Sequence, residues 1–127
     1  MIELSTSDCQ GYTQPTLASV DRPIDLVHLA RTTLGDRSLE REVLQLFERQ
    51  ALTLMTRIRQ VPPGAVAAVA HTLKGSARGI GAWRVARAAE AVELAAHAEA
   101  EFNGGVDRLG AAVDEARAVI AELLRAN

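Results

Sequence analysis

A histidine and the only lysine of the chain lie three residues apart in the segment AHTLKGSARGIGA, residues 70–82. Imidazole titrates near neutral pH, so His71 could serve as a metal ligand, an acid–base catalyst or a nucleophile. A metal site needs further ligands at helical spacing, and the other two histidines, His28 and His97, are distant in sequence. A hydrolase-type dyad needs an orienting acid, and none is local in the sequence.

The sequence around His71 is basic. Between Glu48 and Glu90 there is no acidic residue, whereas residues 49–89 include seven basic ones. These are Arg49, Arg57, Arg59, Lys74, Arg78, Arg84 and Arg87. Such an environment suits a site that meets an anion, for example a phosphoryl group or an acidic partner. A solvated basic face and a nucleic-acid-binding patch are the alternatives, although Trp83 is the only stacking aromatic residue nearby.

Helical periodicity separates His71 from an apolar stripe. At about 100° per residue, the stripe lies opposite the histidine. It consists of Val66, Val69, Leu73, Ala77 and Ile80. The residues within about 60° of His71 are different in kind, because they are small or basic. They are Ala67, Ala68, Lys74, Gly75 and Arg78. We therefore expect His71 to project from the outer face of a helix.

Gly75 needs an explanation, because a glycine in a helix interior costs about 1 kcal/mol relative to alanine. One explanation is access: together with Ala67 and Ala68 one turn earlier, Gly75 leaves the imidazole unobstructed. The other is close approach of a neighbouring helix. The periodicity favours access, because Gly75 points away from the apolar stripe.

The rest of the sequence predicts helices and no strands. Residues 1–20 lack periodicity and are expected to form a loose N-terminal tail before a domain of residues 21–127. A short helix is predicted from about Asp25 to Leu34, ended by Gly35. The long helices that follow are predicted to be separated by Pro62-Pro63-Gly64, by Gly79 with Gly81, and by Asn103-Gly104-Gly105. Four long helices with short connections indicate an all-α fold, an antiparallel up-down-up-down four-helix bundle with the short first helix capping one end.

Two of these helices carry clear apolar stripes. In the second helix, the predicted stripe consists of Leu39, Val43, Leu46, Phe47, Leu54, Ile58 and Val61. In the last helix, it consists of Val106, Leu109, Val113, Ala116, Ile120 and Leu123. Asp36 is predicted to cap the second helix, with Glu40 in its first turn.

The composition limits the partners and the location expected for the protein. The 127 residues carry a net charge of −2 and are 48% hydrophobic, so neither nucleic acid nor membrane is an expected partner. The single cysteine, Cys9, gives no disulfide framework and no zinc ligand set. No run of 18 apolar residues and no signal peptide is visible, so a cytoplasmic monomer is expected.

The segment His71-Thr72-Leu73-Lys74-Gly75-Ser76, followed by Gly81-Ala82, resembles the signature of histidine-phosphotransfer (HPt) domains. The resemblance extends over about residues 20–125, since the helix order and the place of the motif in the third helix also fit. It implies a phosphorelay intermediate whose histidine accepts a phosphoryl group from a receiver-domain aspartate and passes it to another receiver. His71 would be the phospho-acceptor, Lys74 would help to hold the phosphoryl oxygens, and Gly75 would leave room for the receiver.

The resemblance also implies partners. These would be response-regulator receiver domains or a hybrid histidine kinase, docking against Ala67, Ala68, Arg78, Arg84 and Arg87. Mg²⁺ is expected only in the partner receiver, and this chain needs no cofactor because it is a phosphocarrier without an ATP site. Replacement of either remaining histidine should leave transfer intact.

Other functions remain open at this point. Arg78 and Gly79 depart from the common HPt pattern, which has a small residue and often an asparagine there. The chain could be the phospho-acceptor part of a histidine kinase, although Thr72 stands where that motif has an acidic residue. The amino-terminal domain of a chemotaxis-type kinase shares H-x-x-K-G. A receiver-binding adaptor that takes no phosphate is a further alternative.

Overall fold

The computed structural model describes residues 22–126, which form five helices and no strand within that range. The helices are α1 (Leu26–Thr32), α2 (Arg37–Gln60), α3 (Pro63–Ile80), α4 (Trp83–His97) and α5 (Asn103–Ala126). The predicted N-terminal tail at residues 1–20 lies outside the described residues.

The four long helices form an antiparallel bundle. Each packs against the next along the chain, and α2 also packs against α5, which closes the ring. The Arg41 guanidinium donates to the carbonyl of Leu124 at 2.7 Å, while Arg59 pairs with Asp107 at 3.3 Å. The start of α2 therefore lies beside the end of α5, and the end of α2 beside the start of α5. The predicted all-α bundle is confirmed.

The short helix α1 is fixed against the corner between α3 and α4. Gly81 ends α3 with a φ of 81°, a left-handed conformation that favours glycine. Its carbonyl accepts from the Asp25 backbone N–H at 2.9 Å. The Asp25 carboxylate accepts from the Trp83 indole N–H at 2.8 Å and caps α1 through the N–H of His28 at 3.1 Å. These contacts hold α1 over one end of the bundle, as predicted.

The core contains the predicted stripes of α3 and most of that of α5. All five predicted α3 residues are buried. In α2 the prediction is partly wrong, because Leu39 and Leu46 are 38% and 47% exposed, whereas Leu44 is buried. Both exposed leucines lie about 80–100° around the helix from buried Phe47, at the edge of the face that meets the bundle.

The Asn103-Gly104-Gly105 segment was predicted to separate the last two helices, and this prediction is wrong. These residues form the first turn of α5, and the connection lies before them, at residues 98–102. A Cβ on Gly105 would lie 3.2 Å from Val92 Cγ2. The glycine therefore allows α5 to approach α4 closely.

Candidate functional site

His71 projects from the middle of α3, on the side away from the buried stripe. Its side chain is 66% exposed. Ala68, Gly75 and Arg78 are exposed around it, and Ala67 is half-buried. A Cβ built on Gly75 meets nothing within 4 Å, so no neighbouring helix requires a glycine there. The close-approach explanation for Gly75 is therefore wrong, and an open surface surrounds the imidazole.

A carboxylate that was not predicted from the sequence contacts His71. Glu93 on α4 places its Oε2 atom 2.8 Å from Nδ1 of His71, and its Oε1 atom 2.8 Å from Nζ of Lys74. No acid is local to His71 in the sequence, but the fold brings one to it from α4. We refer to His71, Lys74 and Glu93 as the triad.

The sequence did contain a signal for Glu93. Antiparallel helices joined by a short connection bring together residues that are equally distant from the turn. His71 and Glu93 each lie eleven residues from Ala82, on opposite sides of it. The acidic residue is distant along the chain, so a search by local spacing misses it.

The Glu93 carboxylate is stabilised in its ionised form. Contact with the Lys74 ammonium lowers the pKa of Glu93 most strongly, burial opposes this shift, and the His71 contact lowers the pKa further. The Lys74 ammonium lies 2.8 Å from Oε1, so the two groups form a close ion pair. Because an ionised carboxylate only accepts hydrogen bonds, Nδ1 of His71 must donate. The neutral imidazole then carries its lone pair on Nε2.

Lys74 is less exposed to solvent and to a partner than its place on the histidine face suggests. Its side chain is 13% exposed, and that of Glu93 is 12% exposed. The ammonium therefore lies in the crevice between α3 and α4 rather than free on the surface. Lys74 therefore has two effects: it holds the Glu93 carboxylate in place, and it adds positive charge beside the imidazole.

The basic face predicted around His71 is interleaved with acidic side chains. Arg78 pairs with Glu90 of α4 at 3.8 Å, and Arg84 pairs with Glu115 of α5 at 3.0 Å. Arg87 is exposed, and no ion pair is found for it within residues 22–126. The bundle thus partly neutralises the basic run, because α4 and α5 bring acids that are distant in sequence.

The opposite flank of α3, toward α2, is shallow, and its two recesses are lined by no acidic side chain of residues 22–126. A recess of about 250 Å³ is lined by residues that include Leu39, Leu46, Ser76 and Gly79. A neighbouring recess of about 240 Å³ is lined by residues that include Thr72 and one cation, Arg49. His71 therefore lies between a crevice with paired opposite charges on the α4 side and a surface on the α2 side whose recesses have one cation, Arg49, and no acidic residue of the described range.

Two further findings concern the described part of the chain. No group of three or more His, Cys, Asp or Glu side chains is arranged to hold a metal ion within residues 22–126. None of the helices in that range is long and apolar enough to cross a membrane.

Comparison with known proteins gives one match. The family model described as Hpt domain matches residues 42–126, more than half of the chain. The match covers all three residues of the triad. The searches of curated proteins and of solved structures gave no match.

Proposed function

The chain belongs to the Hpt domain family, and we propose that it is a phosphorelay intermediate in which His71 carries the phosphoryl group. Hpt domains take part in histidine phosphotransfer and interact with receiver domains. One observation carries the assignment of His71: it is an exposed imidazole whose Nδ1 is held by an ionised carboxylate. This arrangement supports a nucleophile at Nε2, because the other nitrogen is already engaged.

The transfer step follows from that tautomer. The Nε2 lone pair of His71 attacks phosphorus in an aspartyl phosphate of the receiver. The N–P bond forms as the P–O bond to the aspartyl carboxyl breaks, and the aspartate leaves with the electron pair as a carboxylate. The ring becomes a phosphorylated imidazolium that keeps its proton on Nδ1. Glu93 stabilises that positive charge through the same hydrogen bond.

Lys74 supports the step by electrostatics. Its ammonium holds Glu93 in place before transfer and contributes positive charge beside the incoming phosphoryl group. A compact ammonium obstructs a tetrahedral group less than a planar guanidinium does. We infer that the receiver supplies most of the catalysis, including its own Mg²⁺, and that this chain supplies an oriented nucleophile.

The receiver is proposed to dock over the small residues that surround His71. Ala67, Ala68 and Gly75 leave the imidazole open to a partner, and the space above Gly75 is empty. Arg78, Arg84 and Arg87 would lie toward the rim of that contact. Because two of these arginines are ion-paired, we assign them a minor role in steering an acidic partner. Cytoplasmic localisation and a monomeric state stay predictions.

The experiment is phosphoryl transfer from receiver domains. The protein and its His71→Gln variant are incubated with purified receivers that have been phosphorylated with radiolabelled phosphate. We expect acid-labile label on the wild type and none on the variant, because an amide nitrogen is not nucleophilic. His71→Gln should fold normally, since the side chain is exposed. Acid-stable label, or full transfer by the variant, would contradict the proposal, and receiver binding without any transfer would indicate an adaptor.

A further inference from the structure

A second histidine approaches the carboxylate that holds His71. His97 is the last residue of α4, one turn after Glu93, and its side chain is 67% exposed. Its Nε2 atom lies 3.9 Å from Glu93 Oε2, the same oxygen that His71 Nδ1 contacts at 2.8 Å. Lys74 occupies the other oxygen. One carboxylate oxygen therefore faces two imidazoles, and imidazole is the side chain that changes charge near neutral pH.

We propose that His71 and His97 compete for Glu93, so that a proton taken up by His97 keeps His71 neutral and able to accept a phosphoryl group in mildly acidic conditions. A protonated His97 attracts Oε2 and reduces the stabilisation that Glu93 offers to a protonated His71. The inference rests on the proposed function of His71 for its consequence in transfer. His97 is a positioning residue, since it acts through Glu93 and does not touch the phosphoryl group.

The helices favour the charge on His97. Positive charge is stabilised at the C-terminus of a helix, where backbone carbonyls have no helical partner. His97 lies at the C-terminus of α4, whereas His71 lies in the middle of α3. Positive charge is therefore better accommodated at the position of His97 than at that of His71, where the transfer needs a free lone pair.

Few other charged groups face this pair. From α3, Lys74 pairs with Glu93, and Arg78 pairs with Glu90, one turn before Glu93. Lysine, arginine and carboxylate side chains keep their charge between pH 5 and 8. Imidazole is therefore the side-chain type of this cluster whose charge can change in that range.

The remaining neighbours of α4 bring no ionic partner to this pair. Within residues 22–126, no ion pair joins α5 to Glu93 or His97. Glu99 and Glu101 follow His97 in the connection to α5, and neither forms an ion pair with it. Competition for Glu93 is thus the main ionic coupling available to His97.

The test is an NMR titration of the His71 ring in the wild type, His97→Gln and His97→Arg. We expect His97→Gln to raise the titration midpoint of His71 by a few tenths of a pH unit, the size that an exposed ion pair supports. His97→Arg places a permanent cation beside Glu93 and should lower the midpoint. Just below the midpoint of the His71 titration, the His97→Gln variant should accept phosphoryl groups about twofold more slowly than the wild type. At pH 8 the two proteins should accept them equally fast. The expectation that His97 is dispensable would then hold only at the higher pH.

The same titration in a Glu93→Gln variant distinguishes competition for Glu93 from direct charge repulsion between the two imidazole rings. With Glu93→Gln in place, His97→Gln should no longer move the His71 midpoint. An equal shift in both backgrounds, or no shift with the native glutamate, would overturn the proposal. His97 is exposed, so thermal unfolding should be unchanged in its variants. The titration requires no transfer, and a shifted midpoint without transfer at any pH would contradict the proposed function instead.

Discussion

The two flanks of α3 differ in chemistry although His71 lies between them. The α4 flank carries the triad, with an ammonium and a carboxylate that are both mostly buried. The α2 flank has Thr72, Ser76 and Gly79 beside shallow recesses that include Leu39 and Leu46. This difference indicates two roles: the α4 flank orients the imidazole through paired charges, and the α2 flank, with its small residues and with Arg49 as the cation of its recesses, leaves a surface for a partner.

The strongest test of the α4 flank is Glu93→Gln. An amide can still contact Nδ1 but no longer stabilises the phosphorylated imidazolium. Transfer should therefore slow by about 10- to 100-fold, by analogy with the loss of a carboxylate that orients a metal-bound histidine. The second-order transfer rate measures this loss.

Glu90→Gln is the matched control for that substitution. Glu90 lies one turn earlier on α4 and pairs with Arg78 at 3.8 Å, and both side chains are 44% exposed. Exposed pairs of this kind contribute little, so the rate should change less than twofold. Equal losses for the two variants would mean that total charge, rather than the triad, controls transfer.

The open surface is tested at Gly75. Gly75→Leu should slow transfer several-fold by obstructing the partner, while thermal unfolding changes little because nothing lies within 4 Å of the added Cβ. Gly75→Ala should keep or increase stability, by up to about 1 kcal/mol.

Gly64→Leu serves as the control, because Gly64 is equally open but lies in the first turn of α3, far from His71. That variant should transfer at the wild-type rate. If Gly75→Leu unfolds the domain, or if both leucine variants slow transfer equally, the assignment of an access surface is wrong.

Much of this arrangement could be predicted from the sequence, because it depends on local periodicity. The buried stripe of α3 and the outward direction of His71 both follow from 3.6 residues per turn. Glu93 could not be found in that way, since its contact depends on the register between two helices. The prediction that Leu39 is buried failed for a related reason. Periodicity gives the direction of an apolar stripe but not the width of the helix face that the bundle covers.

A smaller effect is expected from the cations on and near the histidine face, Lys74, Arg78 and Arg87. Lys74→Ala should reduce the transfer rate more than Arg78→Ala, and Arg87→Ala should have the least effect, because only Lys74 belongs to the triad. Rates should fall as salt rises from low to physiological ionic strength, by about two- to threefold, since exposed charges are screened beyond about 8 Å. A rate independent of salt would show that the cations have no part in docking, and a larger loss at Arg87 than at Lys74 would contradict the role assigned to Lys74 in the triad.

The smallest expected effect is on stability at low pH. The pKa of Glu93 is lowered in the folded protein from its ordinary value of 4.5, so its contribution is fully present above that value and is lost as pH falls through the lowered pKa. Urea unfolding of the wild type and Glu93→Gln should therefore differ by at most about 1 kcal/mol at pH 7, and this difference should shrink toward pH 3. A difference that grows on acidification would contradict the sign of the shift.

The nitrogen that carries the phosphoryl group is the most direct test of how the triad works. Nitrogen and phosphorus NMR on the phosphorylated protein distinguishes attachment at Nε2 from attachment at Nδ1. Because Nδ1 of His71 is held by Glu93 at 2.8 Å, the phosphoryl group should be on Nε2 of His71 and on no other residue. Attachment at Nδ1, or at a residue other than His71, would contradict the account.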